Sequence, residues 1–118
     1  MKLSIDDIRP CPNGFDIVRS SDEAIKYIEE NGIPSCISFD HDLGGDDTSM
    51  RVVNYIIDGV LDGKYEFPED FIFFVHSDNP VGSENIKRSL LNFIFHVCGR
   101  TYDRKKINIK NMEQNYYL

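Results

Sequence analysis

The chain has 118 residues, of which 41% are hydrophobic, and its formal net charge is −7. This length suits one domain with one core, which we expect in residues 1–110, followed by a tail at 111–118. The negative charge argues against broad, sequence-independent binding of duplex DNA, which needs a basic surface. The start is short and acidic, and no apolar run is long enough to span a membrane. We therefore expect a cytoplasmic protein without a membrane partner.

The three cysteines are Cys11, Cys36 and Cys98. They form no CxxC pair and no zinc-binding spacing. Cys36 and Cys98 lie in apolar runs, which is typical of buried thiols in a reducing compartment.

The first elements are short. Residues 2–5 predict a strand that runs into Asp6-Asp7. Residues 9–14 contain two prolines and an Asn-Gly pair, which predicts a loop. Residues 15–18 predict a second strand. Ser20 and Glu23 stand at capping-box spacing and predict the start of a helix that Gly32 ends.

The middle of the chain alternates strand and helix signals. Residues 35–39 predict a third strand, and a helix opening at Thr48 or Ser49 follows, with apolar residues at helical period. Residues 71–75 form a continuous apolar run, as expected of a strand covered on both faces. Ser83 is the expected cap of a third helix closed by Gly99, and residues 106–110 predict a last edge strand.

Alternating strands and helices imply right-handed crossovers and a mostly parallel sheet of four to five strands, within a three-layer α/β sandwich. Polar sites of such sheets lie outside the carboxyl ends of the strands. Three of the predicted strands end in polar residues, so these residues are expected to meet in space. They are Asp6-Asp7, Asp40-His41-Asp42 and His76-Ser77.

Several carboxylates at one edge repel each other unless a cation lies among them. A hard cation such as Mg²⁺, or alternatively Mn²⁺, takes oxygen ligands and often bridges to substrate phosphate. We expect Asp6, Asp7 and Asp40 to bind this metal. Asp42 would be an additional ligand, or else a residue that contacts the ligands without binding the metal. The alternative for the first pair is an exposed acidic turn. Asp40 is also a candidate nucleophile.

His76 and His41 are candidates for general acid–base catalysis, and His76 is the preferred one because it ends the most apolar strand. The alternatives are a core histidine for His76 and a hydrogen bond within the loop for His41.

Three further residues are candidates for phosphate binding. A guanidinium at Arg9 would clamp a phosphate bidentately, or else pair with a local aspartate. Ser77 and Asn79 would hold phosphate oxygens, or else only turn the chain before Pro80.

Three motifs, taken in their order along the chain, resemble those of the cyclic-phosphate-processing receiver-like family. They are Asp6-Asp7-x-Arg9-Pro10, Asp40-His41-Asp42-Leu43-Gly44 and His76-Ser77-x-Asn79-Pro80-x-Gly82. The resemblance implies a flavodoxin/receiver-like fold, here with the first helix reduced to a loop. It also implies action on a cyclic phosphate of a nucleotide or an RNA end. By similarity to response-regulator receiver domains, the acidic pair and Asp40 would bind Mg²⁺.

The hypothesis from the sequence is a metal-dependent phosphodiesterase that acts on a cyclic phosphate, with a phosphorylated small molecule, a nucleotide or an RNA end as its partner. The alternatives are a non-catalytic receiver-like module that binds a protein partner, and a protein that sequesters a nucleotide or blocks a partner.

Overall fold

The computed structural model describes residues 1–8, 10 and 13–96 of the chain. These residues form four strands and three helices. They are β1 (Lys2–Ile5), β2 (Asp16–Val18), α1 (Ser21–Asn31), β3 (Cys36–Phe39), α2 (Met50–Leu61), β4 (Ile72–Val75) and α3 (Pro80–His96).

The four strands form one parallel sheet in the order β2-β1-β3-β4. None of the described residues between β1 and β2 is helical, in agreement with the predicted loop. Phe39, the last residue of β3, is paired with Ile5 and with Val75, which are the last residues of its two neighbouring strands. Three strands of the sheet therefore end at the same level.

One face of the sheet carries the hydrophobic core. The crossovers from β2 to β3 and from β3 to β4 run in the same direction across the sheet, and right-handed crossovers then put α1 and α2 on the same face. Helix α2 packs between α1 and α3, so the three helices form one layer. Alternate strand residues and the inner helix faces join in a single cluster that includes Ile37, Phe39, Phe73, Ile28, Ile56 and Leu90.

Helix α1 begins and ends as predicted. The hydroxyl of Ser20 accepts a hydrogen bond from the amide of Glu23 at 3.1 Å. Gly32 follows the last helical residue with a φ of +79°. A left-handed backbone of this kind favours glycine, which has no Cβ to clash, and so ends the helix.

The predicted start of α3 at Ser83 is wrong. The helix begins at Pro80, three residues earlier, and the side-chain oxygen of Asn79 accepts the amide of Gly82 at 2.9 Å. Proline suits the first helical position because its missing N–H would have no partner there. Asn79 is therefore the cap, and Ser83 lies in the first turn.

Strand β4 is less covered than predicted. Phe73 and Val75 are buried, whereas Ile72 and Phe74 are only half-buried. The fully buried strand is β3, which has a neighbour on each side. β4 lies at the edge of the described sheet, where only the face toward the helices is closed.

Cys36 is buried, as predicted, and burial raises the pKa of its thiol to about 11. Several predictions concern residues outside the described part of the chain. They are the roles of Arg9, Cys11 and Cys98, the end of the third helix at Gly99, and the edge strand at 106–110. The third layer of the sandwich and the boundary between domain and tail at residue 110 also lie outside the described part. Within the described residues, no helix is long and apolar enough to cross a bilayer.

Candidate functional site

The aligned strand ends bring predicted site residues together. Asp6, Asp40 and His76 each follow the last residue of a strand. Their amides donate to the last carbonyl of the neighbouring strand at 3.1, 2.9 and 2.9 Å, respectively. The sheet hydrogen bonds thus continue one residue past the strands and hold these three residues in a row at the carboxyl edge.

Three carboxylates meet at this edge. Asp6, Asp7 and Asp40 each have one oxygen within 4.8 Å of an oxygen of the other two, and we call these residues the acidic cluster. Asp6 and Asp40 are 1% and 8% exposed, and Asp7 is half-buried. Carboxylates this close in a low-dielectric environment repel one another, and a hard cation with oxygen ligands would relieve that repulsion. The residues present therefore fit Mg²⁺ or Mn²⁺.

Two described neighbours orient the carboxylate of Asp6. Its Oδ1 accepts the amide of Ile8 at 3.1 Å, and its Oδ2 lies 3.2 Å from Nε2 of His76. The other ring nitrogen of His76, Nδ1, lies 3.0 Å from the hydroxyl of Ser38. Both ring nitrogens of His76 are thus engaged within the protein.

Ser38 is a site residue that the sequence interpretation missed. It looked like one polar residue inside an apolar strand. It stands two positions before Asp40 and so shares the sheet face of the residue at the strand end. This parity is the sequence signal that would have found it.

The loop after β3 is held by its own backbone and by α2. The amide of Ser49 donates to the carbonyl of His41 at 2.9 Å, and its hydroxyl donates to the carbonyl of Asp40. Gly44, with a φ of +92°, passes close to the acidic cluster, since a Cβ on it would lie 3.6 Å from Oδ2 of Asp7. The loop therefore lies beside the carboxylates.

The same loop is tied to α1. Asp47 accepts the amide of Ser21 at 2.9 Å and the hydroxyl of Ser21 at 2.5 Å. Its carboxylate thus satisfies an amide of the first turn of α1.

His41 is held between Asp42 and α3. Its Nδ1 lies 2.9 Å from Oδ1 of Asp42, and a Cβ placed on Gly82 would lie 2.4–2.5 Å from three atoms of its ring. The His41 side chain is 13% exposed, whereas that of Asp42 is 62% exposed. Asp42 bonds this histidine and is not a member of the acidic cluster.

The predicted phosphate-binding residues have local contacts. The hydroxyl of Ser77 accepts the amide of Asn79 at 3.1 Å, and Asn79 in turn caps α3. These contacts agree with the alternative that the segment turns the chain into the helix. Their role in phosphate binding stays a prediction, and Arg9 lies outside the described residues.

Comparison with known proteins gives one family. A family model described as "Cyclic-phosphate processing Receiver domain" matches residues 1–92. No curated protein and no solved structure gives a significant match to the chain.

Proposed function

Since the chain belongs to the cyclic-phosphate processing receiver domain family, we propose that it is a metal-dependent phosphodiesterase that opens a cyclic phosphate of a nucleotide or an RNA end. The observation that carries the proposal is the meeting of three carboxylates and His76 at one sheet edge, beside the loop that bears His41. Both requirements of such a reaction, charge neutralisation and proton transfer, are then supplied from neighbouring residues.

Asp6, Asp7 and Asp40 would hold the cation. When bound, Mg²⁺ or Mn²⁺ polarises the phosphoryl oxygens and neutralises developing negative charge. Asp6 and Asp40 would bind it through side chains at the ends of strands, and the backbone hydrogen bonds of the sheet set their positions. Ser77 and Arg9 remain the proposed partners of the phosphate oxygens, and a guanidinium suits that role because it binds bidentately.

His41 is our candidate for proton transfer, and Asp42 supports it. A carboxylate at Nδ1 favours a proton on that nitrogen, which leaves Nε2 to take a proton from an attacking water or to return one to the leaving oxygen. His76, the first choice from the sequence, has Ser38 on one nitrogen and Asp6 on the other. It would have to break one of these hydrogen bonds in order to reach a substrate.

The experiment is a turnover assay on a panel of cyclic mononucleotides and RNAs that end in a 2′,3′-cyclic phosphate. Purified protein with Mg²⁺ or Mn²⁺ is expected to give linear phosphomonoesters, and Asp40→Asn is expected to abolish the reaction. His41→Ala is expected to lower the rate by about 10²–10⁴-fold, the usual contribution of a general acid or base. Absence of any product across the panel with both metals would count against the proposal.

A second candidate is a phosphorylation switch, favoured by the receiver family and by the position of Asp40 at the end of a central strand. In this case acetyl phosphate is expected to label the wild-type protein stably and to leave Asp40→Asn unlabelled. Calorimetry with the nucleotide panel, followed by product analysis, distinguishes sequestration of a nucleotide from its hydrolysis.

A further inference from the structure

A hydrogen-bond chain links three strands of the sheet next to the acidic cluster. It runs from the hydroxyl of Ser38 on β3 to Nδ1 of His76 at 3.0 Å, and from Nε2 of the same ring to Oδ2 of Asp6 at 3.2 Å. Ser38 is 7% exposed and Asp6 is 1% exposed. The side chain of His76 between them is 19% exposed. These hydrogen bonds are therefore partly shielded from water, and a hydrogen bond is stronger in such an environment than in water.

The chemistry of the two end groups decides where the ring proton lies. An ionised carboxylate only accepts hydrogen bonds, so Nε2 of His76 must carry the hydrogen that bonds Asp6. In the neutral ring Nδ1 is then an acceptor, and the hydroxyl of Ser38 donates to it. A serine can adopt this direction freely because its hydroxyl hydrogen rotates.

We propose that Ser38 and His76 are positioning residues that fix the carboxylate of Asp6 for the bound cation. This inference rests on the metal site of the proposed function. The hydroxyl of Ser38 holds Nδ1 of the ring, and the ring in turn holds Oδ2 of Asp6 while the amide of Ile8 holds Oδ1 at 3.1 Å. With both oxygens held, the plane of the carboxylate is set before the cation arrives. Such support behind a ligand typically contributes about ten- to hundredfold in metal affinity.

The protein contains a matched control residue for Ser38. Ser4 on β1 is paired with Ser38 in the parallel register, lies on the same face of the sheet and is 2% exposed. Like Ser38, it is buried, but it lies beside the hydrogen-bond chain and is not part of it. Ser4→Ala therefore measures the effect of removing a buried hydroxyl from this face without removing the hydrogen bond to His76.

The first test uses the protein without metal. Nitrogen-15 NMR of the imidazole, at a pH where the ring is neutral, is expected to show hydrogen on Nε2 of His76 in the wild type and in Ser4→Ala. Ser38→Ala is expected to change the nitrogen-15 shift of Nδ1, because that nitrogen loses the hydrogen bond from Ser38, and Ser38→Thr, which retains a hydroxyl, is expected to restore the wild-type shift. Hydrogen on Nδ1 in the wild type, or an unchanged Nδ1 shift in Ser38→Ala, would overturn the proposal.

The second test measures affinity for Mn²⁺ by electron paramagnetic resonance. Ser38→Ala and His76→Ala are expected to bind about ten- to hundredfold more weakly than the wild type. His76→Gln is expected to stay within a few-fold, because its side-chain amide can still donate to Asp6 but cannot transfer a proton. Thermal melts of each variant confirm that it is folded.

The outcomes separate this inference from the proposed function. Wild-type affinity in Ser38→Ala overturns the positioning role alone. A wild type that binds Mn²⁺ but converts no cyclic phosphate overturns the phosphodiesterase and leaves the positioning role intact. A folded wild type that binds no Mn²⁺ overturns both the metal site and the role of Ser38 and His76 in it.

Discussion

At the scale of single residues, the ring of His41 leaves no room for a side chain at position 82. A Cβ on Gly82 would meet three ring atoms at 2.4–2.5 Å. Gly82→Ala improves helix propensity by up to about 1 kcal/mol, whereas overlap in a packed site costs about 1–3 kcal/mol. We expect a net loss of stability in urea denaturation, together with a lower turnover rate, because the ring must move away from Asp42.

Ser83 gives the control for this substitution. It is the next residue of the helix, and its buried hydroxyl has no hydrogen-bond partner within the described structure. Because removing an unpaired buried polar group is close to neutral or favourable, Ser83→Ala is expected to keep or raise the urea midpoint. A Gly82→Ala protein as stable and active as Ser83→Ala would show that the ring has room to move.

At the scale of elements, the loop after β3 depends on its attachment to α1. Asp47 accepts both the amide and the hydroxyl of Ser21. Asp47→Ala is expected to cost about 1 kcal/mol, the usual contribution of a cap, in the free energy of unfolding. Its exposed neighbour gives the control, since Asp46→Ala is expected to change that energy by no more than about 0.5 kcal/mol. Equal urea midpoints for the two variants would contradict this role of Asp47.

Helix α1 is also attached to the edge strand β2, through the hydroxyl of Tyr27 and Oδ2 of Asp16 at 2.7 Å. Burial, followed by this hydrogen bond and the charge of Asp16, raises the pKa of Tyr27 to about 12 from 10.0. The folded state therefore holds the proton more tightly than the unfolded state, and stability falls as pH rises from about 10 to about 12.

Tyr27→Phe is expected to make this alkaline loss of stability shallower, as measured by urea midpoints across that pH range. Cys36, whose pKa is raised to about 11 from 9.0, acts in the same direction from a lower pH. The comparison is therefore made in a Cys36→Ala background. Parallel pH profiles with and without the tyrosine hydroxyl would refute the link.

At the scale of the whole molecule, repulsion within the acidic cluster is expected to lower the stability of the fold, and the cation that we propose would relieve it. A ligand that binds only the folded state at one hundred times its Kd adds about 2.7 kcal/mol of stability. For a domain of this size, each kcal/mol raises Tm by about 4 °C. Mg²⁺ or Mn²⁺ is thus expected to raise Tm of the wild type and to have little effect on Asp40→Asn. An equal shift with NaCl of the same ionic strength would mean general screening instead.

Much of this fold was predictable because its signals are local. Apolar runs and a capping box located the strands and α1, and the parallel sheet then predicted that Asp6 and Asp40 would be neighbours. The start of α3 was misplaced because Ser83 has a cap-forming side chain, while Asn79 was interpreted as a phosphate-binding residue or as part of a turn before Pro80. The packing of His41 on Gly82 joins residues that are distant along the chain, and no local pattern predicts such a contact.

The common level of the strand ends limits how this site can be altered. Ile5, Phe39 and Val75 stand side by side, and successive residues of a strand point to opposite faces. Deleting a single residue within β3 would turn Asp40 toward the hydrophobic core and turn Phe39 to the opposite face of the sheet. Residues inserted next to the exposed Gly45 and Asp46 would enlarge the loop without changing this alternation. New specificities are therefore best engineered by varying loop length, with strand length left unchanged.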